Sequence, residues 1–453
     1  MIKLFKNDNF YFYILTFVLL FFFLIFINTN YHIPSLGADE FVKVWPYKEF
    51  IFTKESKSII SNLGGNLGFE DHIFLSLNFF SSIFPFFKSS PILFVKSLNL
   101  FAFILSILIL FKVCNLILKD KKLSFIFCLL ILSNKSLILE HISYFYSYTL
   151  VLLFQLINFY FLIKIFKKFK IKTLFYFFIF NFIGTFIWES FFIYFVFEFI
   201  FCLILLLKNQ DYETLKKTFI IYFKSGISLL CYVSLHYIKF GNFLVSYSKP
   251  NKNLADFFYN SLQISKNLID DIFFGIPSFF HDKEIFLIII IIFPLLILII
   301  KTDFKKIPFT FYQILISLFF VFLSICYAGR YDQGLWSFFN IFVLLIIFKL
   351  FASSKLFKQK NSKNFFMIFL LIYSFSIDVH SKRLDIFSDF KNLKAKFDDS
   401  IFRLIDKDNF YSMELNIVTE NPTIKKRIIE PWRLAYGIDT FYGGRGLYFY
   451  ENE

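Results

Sequence analysis

The chain has 453 residues, of which 57% are hydrophobic and 18% charged, and a net charge of +15; its mean hydropathy is +0.64. No single soluble core of this size hides so much apolar surface, which excludes a soluble globular class and points to an all-α polytopic membrane protein. The positive balance reads as lysines that hold loops against anionic lipid heads, so the lipid bilayer is the expected partner and nucleic acid is not.

The chain opens with Lys3 and Lys6, then an apolar run from Phe10 to Ile27. That run is too long for the apolar region of a signal peptide, and no small-x-small cleavage site follows it. It is therefore read as an uncleaved signal anchor and first spanning helix. About eleven spans are expected from the roughly 20-residue length a bilayer core demands. They fall near 10–28, 91–118, 123–139, 142–163, 173–187, 190–207, 218–238, 285–300, 309–327, 335–350 and 364–377.

Lysines occupy every second gap between these runs: Lys119, Lys121 and Lys122, then Lys164 to Lys172, then Lys208, Lys216 and Lys217. Lys301, Lys305 and Lys306 follow, then Lys355, Lys358, Lys360 and Lys363. The bias of basic residues towards the cytoplasmic side places the N-terminus inside and, with eleven spans, the C-terminus outside. Dropping one span would break the alternation. A transmembrane module over 1–377 is thus expected, with a first outer loop at about 29–90 and a short polar outer tail at 378–453. Phe41–Ile60 in that loop reads as a helix lying on the membrane surface.

The 77 phenylalanines fit the codon usage of an AT-rich genome and carry no functional message. The five cysteines lie within or at the ends of apolar runs without metal spacing, so they read as small buried side chains.

The gaps without lysine clusters carry the residues suited to chemistry. Asp39-Glu40 follows the first helix, where a carboxylate near the bilayer can accept a proton from an incoming nucleophile. Glu70-Asp71-His72 closes the same loop, and its histidine can orient a phosphate or help hold a divalent ion. Glu140-His141 sits between two nearly contiguous spans and precedes Tyr144; Trp188-Glu189 forms a similar hairpin tip. Arg330 is the first arginine of the chain, and its planar fork suits a phosphate or pyrophosphate. Lys96 supplies positive charge near the outer end of its span. Glu198 lies near the middle of a span, where a charge marks function or a paired partner. Singly, each also reads as structural: a solvated acid, a belt aromatic, a snorkelling lysine. Their convergence on one membrane face is what suggests a site for a lipid-linked substrate.

In order and topology, residues 1–210 resemble the C-type (GT-C) glycosyltransferases, in particular the group of protein O-mannosyltransferases and bacterial aminoarabinose transferases. The resemblance rests on Gly37-Ala-Asp39-Glu40-Phe after the first helix, and on Asp71-His72-Ile-Phe-Leu running towards Ser89-Ser90-Pro91. Glu140-His141-Ile-Ser-Tyr144 and the Trp188-Glu189 hairpin follow the same order. The prolines that follow the histidine in that family are absent here, and Lys96 stands where the family often has arginine. The resemblance implies sugar transfer from a polyprenyl-phosphate or polyprenyl-pyrophosphate donor to a glycan, lipid or protein acceptor. The setting would be the outer face of a bacterial inner membrane. Asp39 would act as general base or as the carboxylate that orients the acceptor, supported by Glu40. His72, Lys96, Glu140, His141, Tyr144, Trp188, Glu189 and Arg330 would bind donor and substrate. Some members use a divalent ion such as Mg or Mn and others none; Asp39, Glu70, Asp71 and His72 would be the ligands. Two rival classes fit a polytopic chain: an O-antigen-type polymerase or ligase, and a flippase or transporter of lipid-linked sugars.

Overall fold

The computed structural model describes residues 10–28, 91–134, 148–187, 191–240, 257–259, 261–262, 264, 308–328, 337–353 and 360–376. Among these the regular structure is helical throughout. In lipid this is the expected outcome, because a helix satisfies its backbone hydrogen bonds within one segment. The described residues belong to one compact unit, except 91–95, which fall in a second.

Ten long helices appear among the described residues: α1 (Phe10–Asn28), α2 (Pro91–Leu118), α3 (Lys121–Leu132), α4 (Tyr148–Lys167) and α5 (Ile171–Ile187). They continue as α6 (Phe192–Asn209), α7 (Tyr212–Phe240), α8 (Phe309–Ala328), α9 (Ser337–Ala352) and α10 (Lys360–Ser376). Each coincides with a run read as apolar in the sequence; the run at 285–300, the loop at 29–90 and the tail at 378–453 lie outside the described residues. Four stretches are long and apolar enough to cross a membrane by length and composition: Ser97–Leu118, Thr149–Lys167, Phe192–Asn209 and Phe309–Cys326. The exposed faces agree with a lipid environment. On α10, Phe365, Ile368, Phe369 and Ile372 form an exposed stripe at helical spacing, and Tyr13, Phe17, Leu20 and Phe21 do so on α1. Water would penalise such stripes; hydrocarbon does not. The chain is a helical membrane protein of the multi-pass kind.

Adjacent helices pair as hairpins, α4 with α5 and α6 with α7, and α8 packs on α6. The middle of α3 is buried from Leu123 to Cys128, and α3 packs against α1, α9 and α10. Aromatic rings knit the centre together. Phe159 of α4 meets Phe197 and Phe201 of α6 at 5.3 and 5.5 Å and Phe342 of α9 at 5.0 Å, all edge to face. Such pairs add roughly 0.5–1.5 kcal/mol each beyond their buried area.

Two of the turns share one design. Lys119 adopts a left-handed φ of 55° after α2, and Asp120 then caps α3, accepting from the amides of Lys122 (2.9 Å) and Leu123 (3.0 Å). Gln210 has a φ of 51° after α6, and Asp211 then caps α7, accepting from the amide of Thr214 at 2.5 Å. In both, a left-handed residue ends one helix and an aspartate starts the next, so orphan backbone groups at both ends gain partners. The Asp211 cap explains why α7 begins at Tyr212, ahead of the apolar run expected from position 218.

Candidate functional site

Most residues singled out from the sequence lie outside the described residues: Asp39, Glu40, Glu70, Asp71, His72, Glu140, His141, Tyr144, Trp188, Glu189 and Arg330. Lys96 stands on the second turn of α2. Among the described residues, no group of three or more His, Cys, Asp and Glu side chains is placed to hold a metal ion.

Glu198 is described, and it is paired. Tyr194, Glu198 and Cys202 recur every four residues on α6, which sets them on one buried face. Lys224 of α7 donates to both carboxylate oxygens of Glu198, at 3.0 and 3.2 Å. Ser225 adds a third hydrogen bond, its hydroxyl donating to Oε1 of Glu198 at 2.7 Å. Both charged side chains are at most 2% exposed. The Lys224 ammonium also lies 3.5 Å from the ring centroid of Phe177 on α5, a cation–π contact sheltered from water. Nearby, Tyr222 donates its hydroxyl to the backbone carbonyl of Phe199 at 2.8 Å, and Phe199 stacks on Tyr222 with centroids 4.7 Å apart. On the other side of α6, the amide of Gln313 on α8 reaches the carbonyl of Phe201 at 3.3 Å.

An isolated charge at the centre of a spanning helix costs roughly 2.5–3.5 kcal/mol on insertion scales. Here two such charges neutralise each other in a forked geometry with extra hydrogen bonds, the arrangement a buried pair requires to offset its desolvation. Because Lys224 already meets a carboxylate and a ring, it does not offer a free cation to a phosphate. The cluster's chemistry is that of a fixed dipole inside the bundle, holding three helices in one register.

Lys224 escapes notice in the sequence because Lys216 and Lys217 precede it and blur into one basic boundary. The tight Gln210–Asp211 turn is the signal that finds it. Positions nearly equidistant from that turn must face each other in an antiparallel hairpin, and Glu198 and Lys224 are such positions.

The three helices of the pair carry further buried polar groups. Asn181, Tyr194, Thr218 and Ser228 are buried, and among the described residues both polar atoms of Asn181 and the hydroxyls of Tyr194, Thr218 and Ser228 have no hydrogen-bond partner. At the helix end, the Asp211 carboxyl is held below the usual carboxylate range, chiefly by the Thr214 amide and then by the Thr214 hydroxyl. The five cysteines are free thiols; four are buried and Cys231 is half-buried, in keeping with their reading as small core side chains. No protein-family model matches this chain, and neither a curated protein nor a solved structure matches it.

Proposed function

We propose that the chain is an integral-membrane glycosyltransferase of the C type, transferring a sugar from a polyprenyl-phosphate-linked donor to a glycan, lipid or protein acceptor. The single observation that carries this reading is the carboxylate pair Asp39-Glu40 just beyond the first helix, in gaps of the chain that alternate with the lysine clusters. With eleven spans and the N-terminus inside, that pair, Glu70-Asp71-His72, Glu140-His141, Trp188-Glu189 and Arg330 all open on the outer face of a bacterial inner membrane.

The chemistry follows from the residue types. Asp39 takes the proton from the acceptor hydroxyl as its oxygen attacks the anomeric carbon. The bond from that carbon to the donor phosphate oxygen breaks in the same displacement, inverting the centre. Lys96 and Arg330 neutralise the departing phosphate, whose charge grows in the transition state. Glu40 orients Asp39, while Trp188 and Tyr144 suit stacking on sugar. The resemblance leaves a divalent ion such as Mg or Mn open, with Asp39, Glu70, Asp71 and His72 as the oxygen and nitrogen donors that fit one.

The test is Asp39→Asn in membranes supplied with a labelled polyprenyl-linked sugar. Transfer is expected to vanish at unchanged expression; wild-type transfer by the variant would remove Asp39 from the mechanism. The Glu198–Lys224 pair favours one second reading, a flippase of lipid-linked sugar, because charged groups inside the bundle mark transport pathways. Movement of labelled lipid across vesicles by wild type, without glycosyl transfer, would select it.

A further inference from the structure

Helical register brings three unpartnered polar side chains to one level beside the ion pair. Phe177 of α5 lies against Lys224 of α7, and further along the same two helices Phe186 meets Tyr232 with ring centroids 5.8 Å apart. α5 and α7 therefore run parallel here, and Asn181, one turn past Phe177, shares the level of Ser228, one turn past Lys224. α6 runs the opposite way. Glu198 pairs with Lys224, and Phe192 meets Tyr232 at 4.9 Å, so Tyr194 falls at the level of Ser228 as well.

All three side chains are at most 1% exposed, and none of their four polar atoms has a hydrogen-bond partner among the described residues. Ser228 breaks a pattern. Ser106, Ser133, Thr185, Ser317 and Ser324 each return the hydroxyl to the carbonyl four residues earlier, the default for a hydroxyl inside a helix. Buried polar groups that lack a protein partner are generally served by ordered water.

We propose that Asn181, Tyr194 and Ser228 form an internal hydration site, holding ordered water between α5, α6 and α7 next to the Glu198–Lys224 pair. The three supply an amide that both donates and accepts and two hydroxyls that do the same. That set satisfies the two to four hydrogen bonds a buried water makes. A sugar hydroxyl presents the same chemistry as water, so the test uses the purified chain with no sugar present.

Synchrotron hydroxyl-radical footprinting of the full-length protein in nanodiscs reads the site directly, since a bound water generates the radical in place. Tyr194 is expected to oxidise several-fold faster than Phe127, a fully buried ring on α3. Oxidation of Tyr194 no faster than that of Phe127 overturns the proposal. The double variant Asn181→Leu/Ser228→Ala, checked for monodispersity, is expected to bring Tyr194 down to the rate of Phe127. A folded double variant that still oxidises Tyr194 at the wild-type rate also overturns it. If the double variant does not fold, the wild-type comparison alone decides.

Discussion

Lys224 reaches across from α7 to grip Glu198 of α6 through both carboxylate oxygens, at 3.0 and 3.2 Å, in a place where neither charge meets solvent. A buried pair is stabilising only as a pair. Lys224→Met leaves an orphan carboxylate and Glu198→Leu an orphan ammonium, each expected to cost about 3–5 kcal/mol. The double replacement by apolar residues removes both charges and is expected to lie close to wild type. Thermal unfolding in detergent, read as a double-mutant cycle, checks this; simple additivity of the two losses would show that the pair is not coupled.

Two helical glycines should respond in opposite directions. A Cβ on Gly184 would lie 2.6 Å from the Phe191 ring and 3.1 Å from Cβ of Phe154, whereas one on Gly226 meets nothing within 4 Å. Gly184→Ala is expected to destabilise by about 1–3 kcal/mol through overpacking. Gly226→Ala is expected to gain about 0.5–1 kcal/mol from helix propensity. The same unfolding measurement ranks them, and equal shifts would refute the packing difference.

The Asp211 cap makes part of the stability depend on pH. Its carboxyl is depressed in the folded protein by the Thr214 amide and hydroxyl. A depressed carboxyl contributes stability above its unfolded pKa, near 3.9, and loses it as pH falls through the lower folded value. Asp211→Ala should therefore lower the unfolding temperature at neutral pH, and the gap from wild type should close in strong acid. A gap of constant size across that range would mean that the charge plays no part in the cap.

The proposed topology is tested by single cysteines at positions 39 and 330 on a cysteine-free background. Both are expected to react with a membrane-impermeant thiol reagent added from outside intact cells. Reaction from opposite sides would break the shared site apart, whatever the sugar.

Helix existence was readable from apolar run length, because hydrocarbon permits few other solutions for the backbone. Helix starts are less legible. α7 begins at Tyr212 because Asp211 caps it, and a reading by hydropathy alone does not register a capping aspartate in a polar gap. Glu198 stood out as an acid in an apolar run, yet its partner did not, since pairing is a property of hairpin register and not of composition. Asn181 and Ser228 gave no sign at all: one amide and one hydroxyl in apolar helices are ordinary until three helices bring them level.

The two left-handed-plus-aspartate turns, at Lys119–Asp120 and Gln210–Asp211, set where this bundle can yield. With orphan amides and carbonyls tied down on both sides of a two-residue joint, neither turn can lengthen or swivel without breaking caps. Any breathing of α6 against α7 must splay the far tips, as tongs part at the jaws and not at the rivet.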